Sequence, residues 1–229
     1  MSVLDKDHRL MIKLRELTPG TYTHSKNVSE LLEAIGVELE LDIDKLRIAG
    51  FYHDIGKTVH PKYFCENQEE DEDNPYDKIK DKQISLRFIT GHVGDTVQIL
   101  INEKDIPREV IEWCSQHHGT TIVRSVAGKS RKQDDFRYKC SQPTCLESML
   151  LMICDQVEAR FNSLTQNNKL PSLKELIEQV FNELIDDQQI EDVSLTLGKV
   201  RRIKQILVRE LSGRPGKRID YPETEEEDE

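Results

Sequence analysis

The chain has 229 residues, 36% hydrophobic and 33% charged, with a formal net charge of −11. No apolar run approaches the ~18 residues of a membrane-spanning helix, and residues 1–7 lack the basic-then-apolar order of a secretion signal, so neither a membrane nor a secreted protein is expected. Eleven acids lie in two runs, five in residues 69–73 and six in residues 223–229; without them acids and bases are equal at 32 each, which leaves no basic stripe for a nucleic-acid backbone.

In chain order, most segments carry the 3.6-residue periodicity of helices. Residues 8–17 place apolar side chains at 10, 11, 12, 14 and 17, and residues 21–40 do so through Val28, Leu31, Leu32, Ile35 and Leu39. Asp44 is expected to cap a third helix running to His53, with an end near Gly56. Residues 60–80, with Pro61, the acidic run and Asn74-Pro75, read as a long loop. A helix over residues 83–102 is expected to be divided by Gly91 and Gly94. Asp105 as cap, with Pro107 in the first turn, opens a helix to His117-His118-Gly119, and residues 129–143 look irregular. Thr144-x-x-Glu147 and Ser172-x-x-Glu175 are capping boxes for two further helices, and Thr196 starts a last one to about Leu211. The expected fold class is all-α, a single-domain helical bundle, since no alternating strand pattern or internal repeat is present.

Chemistry concentrates in seven residues. Of seven histidines, five stand in a suggestive order, His24, His53, His92, His117 and His118. Asp54 follows His53 directly, and Asp155 ends the apolar run Met149-Leu150-Leu151-Met152-Ile153-Cys154, where an unpaired carboxylate would be costly. Each has a bland alternative: a lone helical histidine is usually a hydrogen-bonded boundary residue, and Asp155 could pair with Arg160 or Lys57. Taken together, imidazoles and carboxylates on rigid helices form a ligand set suited to Fe, Mn, Zn or Ni. The five cysteines follow no framework spacing; Cys114 and Cys154 read as buried hydrophobes, and Cys140 with Cys145 lacks the second pair of a zinc site. Reduced thiols fit a cytoplasmic location.

The pattern His24…His53-Asp54…His92…His117-His118…Asp155 resembles the HD-domain metal-dependent phosphohydrolases, and the added His92 and His117-His118 resemble their two-metal branch. The blocks Tyr52-His53-Asp54-Ile55-Gly56-Lys57, Tyr63-Phe64-x-Glu66-Asn67-Gln68, Asn74-Pro75-Tyr76-Asp77-Lys78, Gln116-His117-His118-Gly119-Thr120-Thr121, Asp135-Phe136-Arg137-Tyr138 and Arg218-Ile219-Asp220-Tyr221-Pro222 are similar to the catalytic domain of PgpH-type cyclic di-AMP phosphodiesterases. The resemblance implies an N-terminal helix over residues 1–17, an HD domain over 18–213 and a C-terminal extension over 214–229 with an acidic end. It implies that His24, His53, Asp54 and Asp155 hold one divalent ion, and that Asp54 bridges to a second held by His92, His117 and His118, with iron or manganese as the metals. The implied reaction is attack of a metal-bridging hydroxide on phosphorus, which opens a cyclic dinucleotide to the linear form.

Lys57, one turn beyond His53, is a candidate for phosphate contact or leaving-group stabilisation, and Arg137 is a weaker phosphate candidate. Thr121 and Asn74 could support loop geometry or substrate. The chain departs from the family's usual pattern at Tyr76, where histidine is common, and in the acidic residues 69–73. Members usually attach this domain to extracellular and seven transmembrane segments, so the chain is expected to be either a free-standing relative or a cytoplasmic fragment. Other readings are an HD hydrolase of another nucleotide or phosphate ester, and a dinucleotide-binding module without turnover. A phosphate loop at Gly128-Lys129-Ser130 is rejected because Val123 stands where glycine is needed, and no Gly-Tyr-Pro follows the histidine pair as in the cyclic di-GMP branch. His8 and His60 are read as structural.

Overall fold

The computed structural model describes residues 2–68, 79, 81–167, 169 and 171–214. Asn74, Tyr76, the acidic residues 69–73, the block 218–222 and the acidic end therefore lie outside the described residues. Within them nine α-helices form: α1 (Arg9–Leu17), α2 (Pro19–Leu39), α3 (Ile43–Tyr52), α4 (Lys82–Ile101), α5 (Arg108–Gln116), α6 (Arg124–Ala127), α7 (Leu146–Gln166), α8 (Leu173–Asp186) and α9 (Leu197–Ser212). Short 3₁₀ turns occupy Ile55–Val59, Pro61–Tyr63, Cys65–Asn67 and Gln133–Phe136. Extended pairing among the described residues is limited to an isolated bridge between Ile122 and Arg137, so the fold is all-α.

The apolar run of α7 makes it the central helix. Met149, Leu150, Leu151, Met152, Ile153 and Cys154 are all buried, which a helix achieves only when packed on every side. It touches α2, α3, α5 and α8, and α9 closes the bundle against α8 and α2. The large core cluster runs through these helices, and a smaller one joins Leu86 and Val93 of α4 to Val123, Val126, Phe136 and Tyr138. No helix among the described residues is long and apolar enough to cross a membrane.

Several local expectations shift. Asp42, not Asp44, caps α3, accepting from the Lys45 N–H at 3.1 Å, while Asp44 sits in the first turn. Pro107 is itself the cap position of α5, without a side-chain cap bond. The box at α7 moves one residue, to Cys145 and Ser148, because Thr144 is engaged with Gln116. The box at Ser172 and Glu175 and the cap at Thr196 form as expected. Gly91 and Gly94 do not divide α4: each faces open space, and burial of Leu86, Val93 and Leu100 offsets the ~1 kcal/mol helix penalty of each glycine. Arg214, assigned to the C-terminal extension, reaches back to donate to the Asn27 carbonyl at 2.9 Å.

One close approach sets the geometry of the site. Gly56, after His53-Asp54, packs so tightly on α4 that a Cβ there would lie 2.0 Å from the His92 carbonyl oxygen. Its N–H donates to Thr96 Oγ1 at 2.9 Å, and that hydroxyl donates to the His53 carbonyl at 3.1 Å. The turn carrying His53 and Asp54 is thereby clamped beside His92. Gly56→Ala is expected to destabilise the protein by about 1–3 kcal/mol through overpacking, read as a lowered midpoint in urea unfolding; an unchanged midpoint would show that the contact is loose.

Candidate metal centre

Five helices bring the seven side chains to one place. His24 lies within α2, His53 caps the end of α3 and Asp54 follows it, His92 lies on α4, His117 and His118 end α5, and Asp155 follows the buried run of α7. Two groups form, Asp54 with His92, His117 and His118, and His24, His53, Asp54 with Asp155; within each group the ligand atoms lie within 4.8 Å of one another. Asp54 is common to both. Its Oδ1 lies 3.1 Å from His92 Nε2 and 3.5 Å from His117 Nε2, while Oδ2 lies 3.4 Å from His53 Nε2 and 3.9 Å from His24 Nε2. Asp155 faces His24 Nε2 at 3.0 Å with one oxygen and His118 Nδ1 at 3.5 Å with the other.

Backbone carbonyls aim three of the rings. The Nδ1 atoms of His53, His92 and His117 lie 2.9, 2.5 and 2.6 Å from the carbonyls of Gly50, Ile89 and Cys114, each three residues back. A carbonyl can only accept, so in each neutral ring the proton sits on Nδ1 and the Nε2 lone pair points into the cluster. The ring of His118 stacks on Tyr138 with centroids 4.2 Å apart. His24 is held by Glu158, whose carboxylate receives its Nδ1, so His24 also turns Nε2 inward.

These residues fit a divalent ion. His53 Nε2 and Asp54 Oδ1 are buried without a hydrogen-bond partner, and the Nε2 atoms of His92 and His117 face each other at 3.4 Å. Buried lone pairs converging on one another are costly unless a cation lies between them, and imidazole with carboxylate suits first-row metals. Electrostatics agree. Burial opposes charge on His24, but Asp155 and Glu158 outweigh it and push its pKa to about 10. At His53 the same contest, won by Asp54 and then Asp155, gives about 9. Asp54 is buried, yet Lys57 and His53 hold it well below the usual carboxylate range, and His24 and His53 do the same for Asp155. His117 and His118 are pushed down, first by burial.

The other candidates fall differently. Lys57 lies at the centre, its Nζ 2.8 Å from Asp54 Oδ2 and 2.7 Å from Glu66 Oε1, against the Phe64 ring. The Arg137 fork pairs with Asp187 at 2.8 and 3.0 Å, with Nε on Asp134 at 2.8 Å. It also donates to the Thr120 carbonyl and so braces the loop after His118. Thr121 donates to the His118 carbonyl at 2.8 Å, within that loop. Arg160 pairs with Glu183, not Asp155. Glu66 and Glu158 also border the cluster, through Lys57 and His24; Glu66 stands in a quoted block, and Glu158 is the second acid on the buried face of α7, one turn past Asp155. No cysteine takes part in either ligand group, and all five are free.

A family model described as "HD domain" matches residues 21–160. The chain belongs to the HD domain family. Among curated proteins it is similar to the cyclic-di-AMP phosphodiesterase PgpH of Listeria monocytogenes serotype 1/2a (strain 10403S), 32% identical with 97% of this chain and 31% of the relative covered. PgpH of Bacillus subtilis (strain 168) is likewise 32% identical, with 97% of this chain and 32% of the relative covered. The chain thus spans about a third of the length of these relatives. Among solved structures, the L. monocytogenes PgpH HD domain matches with a TM-score of 0.81 at 33% identity, over 90% of this chain and 99% of that one. The same domain in complex with cyclic-di-AMP matches with a TM-score of 0.80 at 32% identity, over 91% and 99%. HD domains bind divalent metals, which the ligand groups of this chain fit.

Metal uptake is expected to depend on pH. Without metal, His24 and His53 keep a proton up to about pH 10 and about pH 9, so an ion must displace those protons to bind. Affinity for Mn(II) should therefore rise at least ~10-fold between about pH 6.5 and about pH 8.5 in competition titrations, with protons released on binding. A pH-independent affinity would contradict this assignment of charge.

Proposed function

We propose that the chain is a two-metal phosphodiesterase that hydrolyses cyclic di-AMP to the linear dinucleotide. The observation that carries this reading is the division of Asp54, whose two oxygens face two separate sets of imidazoles. His24, His53, Asp54 and Asp155 would hold one ion, and Asp54, His92, His117 and His118 the other, with iron or manganese the natural choices for such ligands. When bound, two divalent ions supply water activated near neutral pH and offset charge that develops at phosphorus.

The chain's own residues do the rest. Asp54 fixes the spacing of the two ligand sets, because one short carboxylate serves both. Lys57, itself held by Glu66, pairs with Asp54 Oδ2, the oxygen away from His92, so the carboxylate's orientation does not change as substrate arrives. The carbonyl-tethered rings stay aimed, which removes reorganisation from the reaction. The substrate assignment draws support from the PgpH matches, one of them holding cyclic-di-AMP. A cytoplasmic setting belongs to the same reading, supported by five free cysteines.

The test is a substrate panel. Protein loaded with Mn(II) or Fe(II) under reducing conditions should cleave cyclic di-AMP to the linear dinucleotide in preference to cyclic di-GMP and bis-p-nitrophenyl phosphate. Asp54→Ala should lose both turnover and metal while keeping its helical spectrum. Cleavage of the generic ester alone would replace the substrate assignment with a broader phosphoesterase. Tight binding of cyclic di-AMP without products would make the chain a sensor, and turnover by the Asp54 variant would overturn the bridging role.

A further inference from the structure

Glu158 is fully buried on α7, and a carboxylate there is costly unless several partners satisfy it. Four groups converge on it. His24 Nδ1 meets one oxygen, and the side-chain amides of Asn27 and Asn162 donate to the other, the former at 2.6 Å. The fourth is Arg214, just past the end of α9. Its Nη1, buried and without a hydrogen-bond partner, lies 3.9 Å from Glu158 Oε1, while its Nη2 donates to the Asn27 carbonyl at 2.9 Å. Arg214 also lies 3.7 Å from Glu30 of α2. The arrangement ties α2, α7 and the end of α9 to one imidazole.

We propose that Glu158 is the positioning residue for the metal half built on His24, and that Arg214 and the two asparagines orient its carboxylate. A carboxylate oxygen facing Nδ1 accepts from it, which places the His24 proton on Nδ1 and leaves Nε2 as the ligand atom. The other three rings aimed through Nδ1 use backbone carbonyls three residues back; His24 alone among these four is aimed by a side chain from a distant helix. Glutamine at 158 would keep the shape but lose the charge, and its amide could donate to Nδ1. That donation would force the His24 proton onto Nε2 and block ligation. The half built on His92, His117 and His118 has no contact with Glu158 and would be untouched.

The assignment rests on the two-metal reading above, and Mn(II) titration separates their failures. The wild-type chain should bind two ions. Glu158→Gln should weaken one site by about 10–100-fold and leave the other at wild-type affinity. In a His24→Ala background the same substitution should add nothing further, because both changes act through one ligand. Arg214→Gln, at a helix end outside the core, should weaken the same site in the same direction by a smaller factor. If both Glu158→Gln and Arg214→Gln bind two ions as the wild type does, or if Glu158→Gln weakens both sites equally, the positioning role is wrong while the two-metal reading stands. A wild-type chain that holds one ion or none overturns both.

Discussion

The interaction on which the rest depends is the burial of Asp54 and Asp155 among five imidazoles. Each carboxylate is nearly sealed from water, at 1% and 6% exposure. A single buried carboxylate is tolerated only when paired or bound to a cation. Here protonated imidazoles can serve as the pair, and the raised pKa values of His24 and His53 report that substitution. A divalent ion does the same work with better geometry, since lone pairs then meet a charge rather than each other. His24 and His53 favour a proton and His117 and His118 oppose one, so an entering metal would displace protons from the first pair alone.

A rigid frame makes this arrangement tenable. The Gly56 contact on α4 and the Thr96 hydroxyl that bonds both Gly56 and His53 fix one ligand turn to one ligand helix. Lys57, held in turn by Glu66, steadies Asp54, and Asn67 binds the turn that carries Glu66 to Thr21 of α2 through two hydrogen bonds of 3.0 and 2.8 Å. Arg137 and Asp187 brace the loop that follows His118. The polar residues around the centre are thus spent largely on holding ligands, which is the usual division of labour around a metal.

The bundle was legible in the sequence because its helices carry strong 3.6-residue periodicity, and the apolar run before Asp155 marked the central one. What was less legible follows from competition between near-equal local choices. Asp42 and Asp44 can both cap α3, and only packing decides; Thr144 looked like a cap until Gln116, distant in sequence, took its hydroxyl. Gly91 and Gly94 read as breaks because propensity ignores the burial of Leu86, Val93 and Leu100. In the site, histidines and aspartates stood out because such residues in apolar helices have few other uses. The pairing of Arg137 with Asp187 spans 50 residues and the bond of Glu158 to His24 spans 134, so neither shows in local sequence. Long-range ion pairs leave no periodic trace, so the outer layer of a site is harder to read than its ligands.

The central claim is that one carboxylate, Asp54, serves two cations at once. Anomalous diffraction from crystals of the Mn(II)-loaded protein tests it directly. The account predicts two peaks about 3.5–4 Å apart, one on each side of the Asp54 carboxylate. A single peak, or two that do not share Asp54, would contradict it.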